Sequence, residues 1–533
     1  MVEAPPSRRS LAVAATGTPS GVVGRGRRAA EAVVRGLGSR VFAVVVVLWF
    51  AAQAAIIAAA SSKVIYDESY HLAAVEAFSR RWTPFITQVA ADGPLGDAER
   101  YGSYLYHYLL SFPWRVTELV GLNDGRQLLV LRLVSVTMVS LGLLAWRWLF
   151  RELGASRALA NVCMAVVAAT PLIVFLAAFV NYDNLIFLIT PLFLRSVVRL
   201  YKADQLAPRE WALVLLWAGL GAVTKYTFLP FLPIAGIAVL VRQISVRGQT
   251  PPGSLRAFLS GDGERRRRVA NIALLLGAVL AVALVVERYV GNVLLYRSIM
   301  PDCLDVHPLS ICSMHAPWAR NYELDAAFPD AAPSVLGGLA YLTAHWIPLM
   351  LKNSTWYGVV FEDSIVQSRG PHITGLILYV GIAAVLVAIF VSLGVLRRHR
   401  GALLLLSTCM LYIVVLFVQN YSDFRTLGIP LAVSGRYLLV VLPVFVVLAG
   451  LGVAKIFTLT SARSGTAMKL FSVGCIALLG TQGGGMSSYL WSIDDTWVSH
   501  PEGRPAKLVL DLSSFAQDTI IPNEWVKDPR QVE

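Results

Sequence analysis

The sequence predicts an all-α polytopic membrane protein with about eleven transmembrane helices and additional amphipathic helices on one membrane face. Its 533 residues are 56% hydrophobic and only 15% charged, whereas soluble domains are about one-quarter charged. Several apolar runs reach the roughly 18 residues that a helix needs to cross a bilayer. The runs are continuous and do not alternate with polar residues, which favours helices over a membrane β-barrel.

The apolar runs define the spans in chain order. The first run, "VFAVVVVLWFAAQAAIIAAA" at 41–60, has no charge, and the second, at 128–150, carries Arg132 near its start. Two runs, 211–224 and 226–242, are short, so they either tilt or form a shallow hairpin. The eleven predicted spans are 41–60, 128–150, 158–180, 182–201, 211–224, 226–242, 271–290, 372–396, 401–419, 436–457 and 470–490.

Basic residues predict the orientation. The net charge is +13, but much of it lies in short stretches beside apolar runs, such as "ERRRR" at 264–268 and "RRHR" at 397–400. This distribution is typical of cytoplasmic flanks that contact anionic lipids, and it argues against a nucleic-acid partner. Eleven crossings place the N-terminus in the cytoplasm and the C-terminus outside, in a multi-pass membrane protein.

Three regions follow from this topology. Residues 1–40, with seven Arg and two Glu, predict a disordered basic cytoplasmic tail; a cleaved signal peptide is the alternative. Residues 41–490 form the membrane domain, with long outer segments at 61–127 and 291–371, and residues 491–533 form an extracytoplasmic segment. Stretches 69–82 and 101–120 predict amphipathic helices on the membrane surface. The apolar piece 336–351 is interpreted as re-entrant or interfacial.

Charged side chains gather at the predicted outer boundary. A charge near the bilayer centre is costly, so such residues usually face a polar cavity. Each has a local alternative: the acids favour helix starts, and the basic residues reach lipid phosphates. The set, from five separate regions of the chain, comprises Asp67, Glu68, Arg132, Asp183, Lys225 and Arg436.

This pattern suits transfer of a sugar from a polyprenyl phosphate, because the phosphate is already a good leaving group. The enzyme then needs a base for the acceptor hydroxyl, for which Asp67 and Glu68 are the candidates. It also needs cations for the departing phosphate, and Arg436, Lys225 and Arg132 could supply them. A divalent metal held by Asp67, Asp183 and His71 is a further possibility: oxygen ligands suit Mg²⁺ or Mn²⁺, and the histidine favours Zn²⁺.

The five cysteines divide into two groups. Three lie in apolar runs and are expected to pack there. Cys303 and Cys312 share the polar loop "CLDVHPLSIC". A disulfide is expected if that loop is extracytoplasmic; a metal site with Asp305 and His307 is the weaker alternative.

The segment "YDESYH" after the first span resembles the acidic first-loop motif of the GT-C glycosyltransferases, which include protein O-mannosyltransferases and lipid A aminoarabinose transferases. "NYDNL", "TKYT", "GRYLLVVLP" and the loop "PDCLDVHPLSICSMHAPWARN" resemble segments of bacterial members, so the likeness covers about 60–460. It implies an inverting hexosyl- or pentosyltransferase of the plasma membrane with a polyprenyl-phosphate donor, in which Asp67 is the base or a metal ligand. His71 lies one place later than the histidine of the related motif.

The resemblance leaves the sugar open, and the acceptor is a cell-envelope glycan, a lipid or a protein. The short segment after the last span argues against transfer of a whole oligosaccharide. The main alternative is a transporter or a flippase for lipid-linked sugars, but charges on one face favour an enzyme over the midplane sites of transporters. A non-catalytic assembly factor would not need these charges to converge. No GxxxxGK[ST] motif is present, which disfavours an ATP-driven pump.

Overall fold

The structure is a computed structural model of the chain. Single positions outside the continuous ranges are also described, among them Leu95, Tyr489 and Val498. The continuous ranges that the structure describes are 35–62, 67–86, 99–205, 207–246, 254–261, 264–328, 334–350, 359–362, 365–368, 386–390, 401–460 and 504–515.

Long apolar helices dominate the described residues. Six are long and apolar enough to cross a membrane, and a seventh crossing results if two helices bent by 65° count as one span. The bent pair is α5 (Arg157–Ala168) and α6 (Pro171–Ala178). The six are α1 (Arg40–Ala60), α4 (Asp124–Glu152), α7 (Asp183–Lys202), Tyr226–Val246, Arg265–Tyr296 and α17 (Ala402–Leu427).

These helices coincide with six of the predicted spans, and the bent pair coincides with the span predicted at 158–180. The helix over the predicted span 211–224 is α8 (Pro208–Thr224), whose 17 residues make it short for a crossing. The predicted spans at 372–396 and 470–490 lie largely outside the described residues. The count of eleven is therefore not confirmed.

The remaining elements are shorter, and several lie between the spans. Two spans contain breaks in regular α-geometry: a 3₁₀ turn (Tyr226–Phe231) precedes α9 (Leu232–Val246), and a π-helical turn (Val286–Val290) separates α11 (Arg265–Val285) from α12 (Gly291–Tyr296). The other helices are α2 (Glu68–Ser79), α3 (Leu105–Leu119), α10 (Ser254–Ser260), α13 (Cys303–Val306), α14 (Leu309–Cys312), α15 (Ala316–Ala327), α16 (Val335–Tyr341), the π-helical turn Leu342–Trp346, the 3₁₀ turn Gly435–Val440, α18 (Leu442–Thr460) and α19 (Arg504–Phe515).

A short β-hairpin departs from the all-α prediction. Strands β1 (Val359–Glu362) and β2 (Ile365–Ser368) pair antiparallel. The rest of the described secondary structure is helical. The sequence therefore predicted the dominant class correctly but missed this hairpin.

The core of the bundle lies around α7. This helix packs along α4 and α8, and α8 packs along α11. The apolar window of α7 is 72% buried and that of α11 only 17%, so α7 is central and α11 peripheral. A Cβ at Gly219 would come within 2.8 Å of the Ala281 backbone. Glycine is therefore required for the close approach of α8 to α11.

The helices α2 and α3 pack on each other outside the spans. Arg115 of α3 donates hydrogen bonds to the carbonyl oxygens of Ser79, at 2.7 Å, and Phe78, at 2.8 Å. These carbonyls belong to the last turn of α2, where no intrahelical donor remains. The guanidinium thus closes the end of α2 and fixes its angle against α3.

The two ends of α7 carry charged residues of opposite sign. A helix of 20 residues is about 30 Å long, and it carries Asp183 at one end and Lys202 at the other. Beside Lys202, Glu152 forms ion pairs with Arg195 at 3.6 Å and with Arg199 at 3.8 Å. The basic residues of α7 therefore gather beside Glu152, at the end of the helix that is remote from Asp183.

Residues outside α1 contact both of its ends. At its start, Ser39 accepts a hydrogen bond from the Phe42 amide at 3.0 Å and caps the helix. At its end, Ser61 forms an isolated antiparallel bridge with Val498. The described part of the predicted C-terminal region, α19, also contacts α1. Most of the predicted tail at 1–40 lies outside the described residues.

Candidate active site

The first predicted base, Asp67, pairs with Arg436. Arg436 Nη2 donates to Asp67 Oδ2 at 3.1 Å, although the two residues are 369 positions apart. Asp67 immediately precedes α2 and has a left-handed backbone, with φ 63° and ψ 21°. Aspartate tolerates this conformation better than most residues do. The Asp67 side chain is 57% exposed and that of Arg436 is 12% exposed, so solvent or a ligand can reach the pair from the Asp67 side.

The neighbouring acid, Glu68, points into the protein. Arg132 donates from Nε to Oε1 at 3.0 Å and from Nη2 to Oε2 at 2.7 Å. The Val180 amide donates to Oε1 at 2.8 Å. Glu68 is fully buried, and only 2% of the Arg132 side chain is exposed. The Glu68 carboxylate is therefore held by a bidentate ion pair and a backbone amide.

The same arginine also closes the end of α1. Arg132 Nη1 donates to the carbonyls of Ala58, at 3.0 Å, and Ser61, at 2.8 Å. Since Nε and Nη2 of Arg132 donate to the Glu68 carboxylate, this guanidinium links α1, α2 and α4. The expectation that Glu68 is catalytic and Arg132 binds phosphate finds no support in this geometry, because both groups are buried and bonded to each other.

Lys225 and Asp183 form a second buried ion pair through Nζ and Oδ1. Lys225 follows the last residue of α8, and Asp183 is the first residue of α7. The Lys225 Nζ also lies 4.4 Å from the ring centroid of Tyr182 and 4.5 Å from that of Tyr437. A cation between two aromatic faces is stabilised by both rings. These contacts hold Lys225 in a fixed position despite its long side chain.

His71 pairs with a second histidine, His107 of α3. His71 Nδ1 and His107 Nε2 are 2.8 Å apart, and the two rings stack with centroids 5.1 Å apart. Burial is the largest cause that lowers the pKa of His71 well below its ordinary value, with His107 next. Burial also lowers the pKa of His107 to about 4. Both imidazoles are therefore neutral at physiological pH.

Tyrosine rings join these pairs into one cluster. The Tyr437 hydroxyl lies 3.4 Å from Arg436 Nη2, and the Tyr437 ring contacts Lys225. The ring of Tyr182, which also contacts Lys225, meets the His71 ring edge to face at 4.7 Å. We call the group Asp67, His71, His107, Tyr182, Asp183, Lys225, Arg436 and Tyr437 the polar cluster. Four of the predicted residues outside the Glu68–Arg132 pair converge there, together with His71.

The polar cluster does not fit a metal ion. The three predicted ligands have different partners: Asp67 binds Arg436, Asp183 binds Lys225 and His71 binds His107. Within the described part of the chain, no group of three or more His, Cys, Asp and Glu side chains is arranged to hold a metal. A cation would compete with Lys225 and Arg436 for the same carboxylates.

A disulfide-bonded loop borders the polar cluster. The disulfide joins Cys303 and Cys312. The ring of His315, three residues further on, lies 5.5 Å from that of Tyr70. Burial lowers the pKa of His315, and the charge of Asp67 opposes this shift. The loop that follows α12 therefore reaches the exposed side of Asp67.

Four residues of this region were not predicted: His107, Tyr182, Tyr437 and His315. His107 lies in the predicted amphipathic stretch 101–120, and the other three lie in the segments "NYDNL", "GRYLLVVLP" and "SMHAPWARN". The signal for His107 is a histidine within an otherwise aromatic and aliphatic helix, where a buried imidazole needs a partner. The tyrosines adjoin predicted charged residues, but a single sequence does not show that they contact Lys225.

Comparisons with known proteins give a family but no activity. A search of curated proteins finds no match. Solved structures with some likeness include ArnT from Cupriavidus metallidurans in the apo state, with 14% identity and a TM-score of 0.40. That match covers 85% of this chain and 65% of the ArnT chain. ArnT bound to undecaprenyl phosphate gives 15% identity and a TM-score of 0.41, covering 91% of this chain and 73% of that one.

TM-scores this low carry no argument about the activity of this chain. The profile of the DUF2142 family, described as a predicted membrane protein, matches residues 79–448. This match spans most of the chain and includes His107, Asp183, Lys225 and Arg436. The protein therefore belongs to the DUF2142 family of membrane proteins.

Proposed function

We propose that the protein is a GT-C-type glycosyltransferase that moves a sugar from a polyprenyl-phosphate donor to an acceptor hydroxyl at the outer face of the plasma membrane. The observation that carries this proposal is the partly exposed Asp67–Arg436 pair. It combines a carboxylate that can act as a base with a guanidinium that can bind phosphate. The "YDESYH" resemblance gives independent support from the sequence.

The chemistry follows from these two groups. As the acceptor oxygen forms its bond to the anomeric carbon, the acceptor proton passes to the Asp67 carboxylate. The bond between the anomeric carbon and the phosphate oxygen breaks, and both of its electrons leave with the polyprenyl phosphate. Arg436 can stabilise this leaving group by charge-assisted hydrogen bonds. Lys225 Nζ and Arg436 Cζ lie 4.5 Å and 5.3 Å from the centroid of the Tyr437 ring, so Lys225 adds positive potential to the same region.

Donor binding is expected to change the partner of Arg436. Without ligand, the guanidinium neutralises Asp67. A donor phosphate that takes over this guanidinium leaves the carboxylate free to accept a proton. The Asp67 carboxylate thus becomes available as a base only when the donor phosphate is in place.

Glu68 and Arg132 have a different role in this proposal. Their buried ion pair and its bonds to α1 hold the start of α2 in place. Asp67 is the residue directly before α2, so its left-handed backbone depends on this anchor. Glu68 is thus assigned to the framework of the site and Asp67 to the reaction.

A broken span is the feature that favours the alternative, a transporter or flippase. The helices α5 and α6 meet at 65°, and discontinuous helices often form ion or substrate sites in transporters. The break at Ala169 and Thr170, however, has only apolar residues and one threonine nearby in "AVVAATPLIV". The charged groups lie in the polar cluster instead, so we favour the enzyme.

The test is sugar transfer by purified protein in proteoliposomes. Polyprenyl phosphates carrying different labelled hexoses and pentoses serve as donors, and cell-envelope extract serves as the acceptor source. Wild type should transfer at least one sugar, and Asp67→Asn should be at least about a hundredfold slower. Asp204→Asn is the matched control, because Asp204 is an exposed acid paired with Arg242. Wild-type transfer by Asp67→Asn, or no transfer by wild type from any donor, would overturn the proposal.

A further inference from the structure

One buried nitrogen of the polar cluster has no partner. His71 is only 1% exposed. Its Nδ1 bonds to His107, but its Nε2 has no hydrogen-bond partner among the described residues. A buried polar atom without a partner costs free energy, so a ligand or a water is expected to bond to this nitrogen.

The hydrogen bonds of the two histidines show whether His71 Nε2 carries a proton. The backbone of Ser103 raises the pKa of His107, which is the effect of a carbonyl that accepts a hydrogen bond from the imidazole. Because Nε2 of His107 faces His71, the nitrogen that donates to this carbonyl is Nδ1. Neutral His107 therefore has a lone pair at Nε2, and His71 must donate to it from Nδ1. A neutral imidazole carries one proton, so His71 Nε2 holds a lone pair. The unpartnered atom is a hydrogen-bond acceptor.

A second unpartnered acceptor belongs to the same cluster. Asp183 Oδ1 binds Lys225, whereas its Oδ2 is buried without a partner among the described residues. The Tyr182 ring, next to Asp183 in the chain, contacts both His71 and Lys225. Two acceptors beside two cations match a ligand that combines hydrogen-bond donors with negative charge. A sugar phosphate has both properties.

We propose that His71 Nε2 and Asp183 Oδ2 accept hydrogen bonds from two hydroxyl groups of the sugar on the lipid donor, and so determine which sugar is transferred. This assignment rests on the proposed function, and it gives His71 a role in sugar recognition. Sites that hydrogen-bond a substrate hydroxyl discriminate strongly against analogues that lack it, because the buried acceptor is then left unpaired. His107 is a positioning residue, since it acts by fixing the tautomer of His71.

Two substitutions at His71 distinguish the roles of its two ring nitrogens. The amide of His71→Asn can still donate to His107 but leaves nothing at the position of Nε2. The longer side chain of His71→Gln reaches that position but gives up the bond to His107. With a donor that wild type uses, kcat/KM should fall roughly 10- to 100-fold in His71→Asn. His71→Gln should retain more activity.

Monodeoxy donors identify the hydroxyl that His71 binds. Removing that hydroxyl should slow wild type but cause no further loss in His71→Asn, because the interaction is already absent. Removal of any other hydroxyl should slow both proteins by the same factor. Additive losses for every monodeoxy donor, or wild-type kcat/KM in His71→Asn, would overturn the assignment.

A spectroscopic measurement tests the assignment independently of turnover. In ¹⁵N-histidine-labelled wild type, which has eight histidines, His71 Nε2 should be unprotonated, and the His71→Asn spectrum identifies its signal. The signal should shift when the sugar-bearing donor is added but not with polyprenyl phosphate alone. A protonated Nε2, or equal shifts with both lipids, would refute the inference. Absence of transfer by wild type would instead refute the proposed function.

Discussion

Replacing Glu68 by glutamine should unfold the protein more easily rather than impair its chemistry directly. In Glu68→Gln the shape of the side chain is kept, but Arg132 loses its counter-charge. The amide NH₂ of glutamine would also face the guanidinium, which has only hydrogen-bond donors and cannot accept a hydrogen bond. Arg132 is 2% exposed, so water cannot replace the lost carboxylate.

The structure allows the size of this effect to be estimated. Removing one partner of a buried ion pair costs roughly 3–5 kcal/mol, because an uncompensated charge stays buried. A tenfold change in an equilibrium corresponds to about 1.4 kcal/mol. The ratio of folded to unfolded protein should therefore fall by about two to four orders of magnitude. The Val180 amide, 2.8 Å from Oε1, keeps its acceptor because glutamine retains one carbonyl oxygen, so the loss comes from the ion pair alone.

Equilibrium unfolding of the purified protein in detergent measures this change. Glu76→Gln is the matched control, since Glu76 lies on the same helix in an exposed pair with Arg80 at 2.6 Å that should contribute only about 0.3–0.5 kcal/mol. The double variant Glu68→Leu/Arg132→Met should recover much of the stability, because neither charge then remains. If Glu68→Gln unfolds like Glu76→Gln, the ion pair is not the anchor described here.

Four further outcomes are expected. Arg436→Lys should fold normally but lose most transfer activity, because an ammonium cannot make two parallel bonds to a phosphate; wild-type turnover would show that Arg436 only anchors its helix. Non-reducing mass spectrometry of wild type should find the Cys303–Cys312 peptide pair, and two free thiols in protein purified without reductant would contradict it. Unfolding free energy should fall as the pH drops from about 6.5 towards 4, because His107, with a pKa of about 4 in the folded protein, binds its proton near pH 6.5 when unfolded. The loss should approach about 3 kcal/mol and be smaller in His107→Gln; an equal loss in both proteins would exclude His107 as its source. Cysteine labelling should place positions 320 and 510 outside and positions 255 and 399 inside, and any position on the opposite face would revise the topology.

The convergence of charges could be predicted because it depends on topology alone. Residues at the ends of apolar spans, such as Asp183 and Lys225, must lie at one membrane boundary if their spans run in the expected directions. The packing of α2 was also predictable, since Val75 and Phe78 recur at helical spacing. The sequence alone therefore predicts that four of the charged residues lie in one region, but it does not predict the partner of each.

The partner of each charge could not be predicted, because it depends on local backbone geometry. A helix that starts at Asp67 would place this residue and His71 on one face. The structure instead starts α2 at Glu68 and gives Asp67 a left-handed backbone. This single change turns Asp67 towards Arg436 and Glu68 towards Arg132. Nothing in "YDESYH" indicates which acid takes which arginine.

Solvent access distinguishes the three ion pairs at this end of the bundle and assigns them different roles. In the Glu68–Arg132 pair the side chains are 0% and 2% exposed, and in the Asp183–Lys225 pair they are 7% and 2% exposed. In the Asp67–Arg436 pair, Asp67 is 57% exposed. Exchange of partners requires a path for the incoming phosphate, and of these three pairs only Asp67–Arg436 is open to one. The Glu68–Arg132 pair then holds the open pair in place, and the Asp183–Lys225 pair fixes Asp183 in the orientation proposed for sugar binding. A change in Lys225 should therefore alter how the donor is bound even if Lys225 never touches the phosphate.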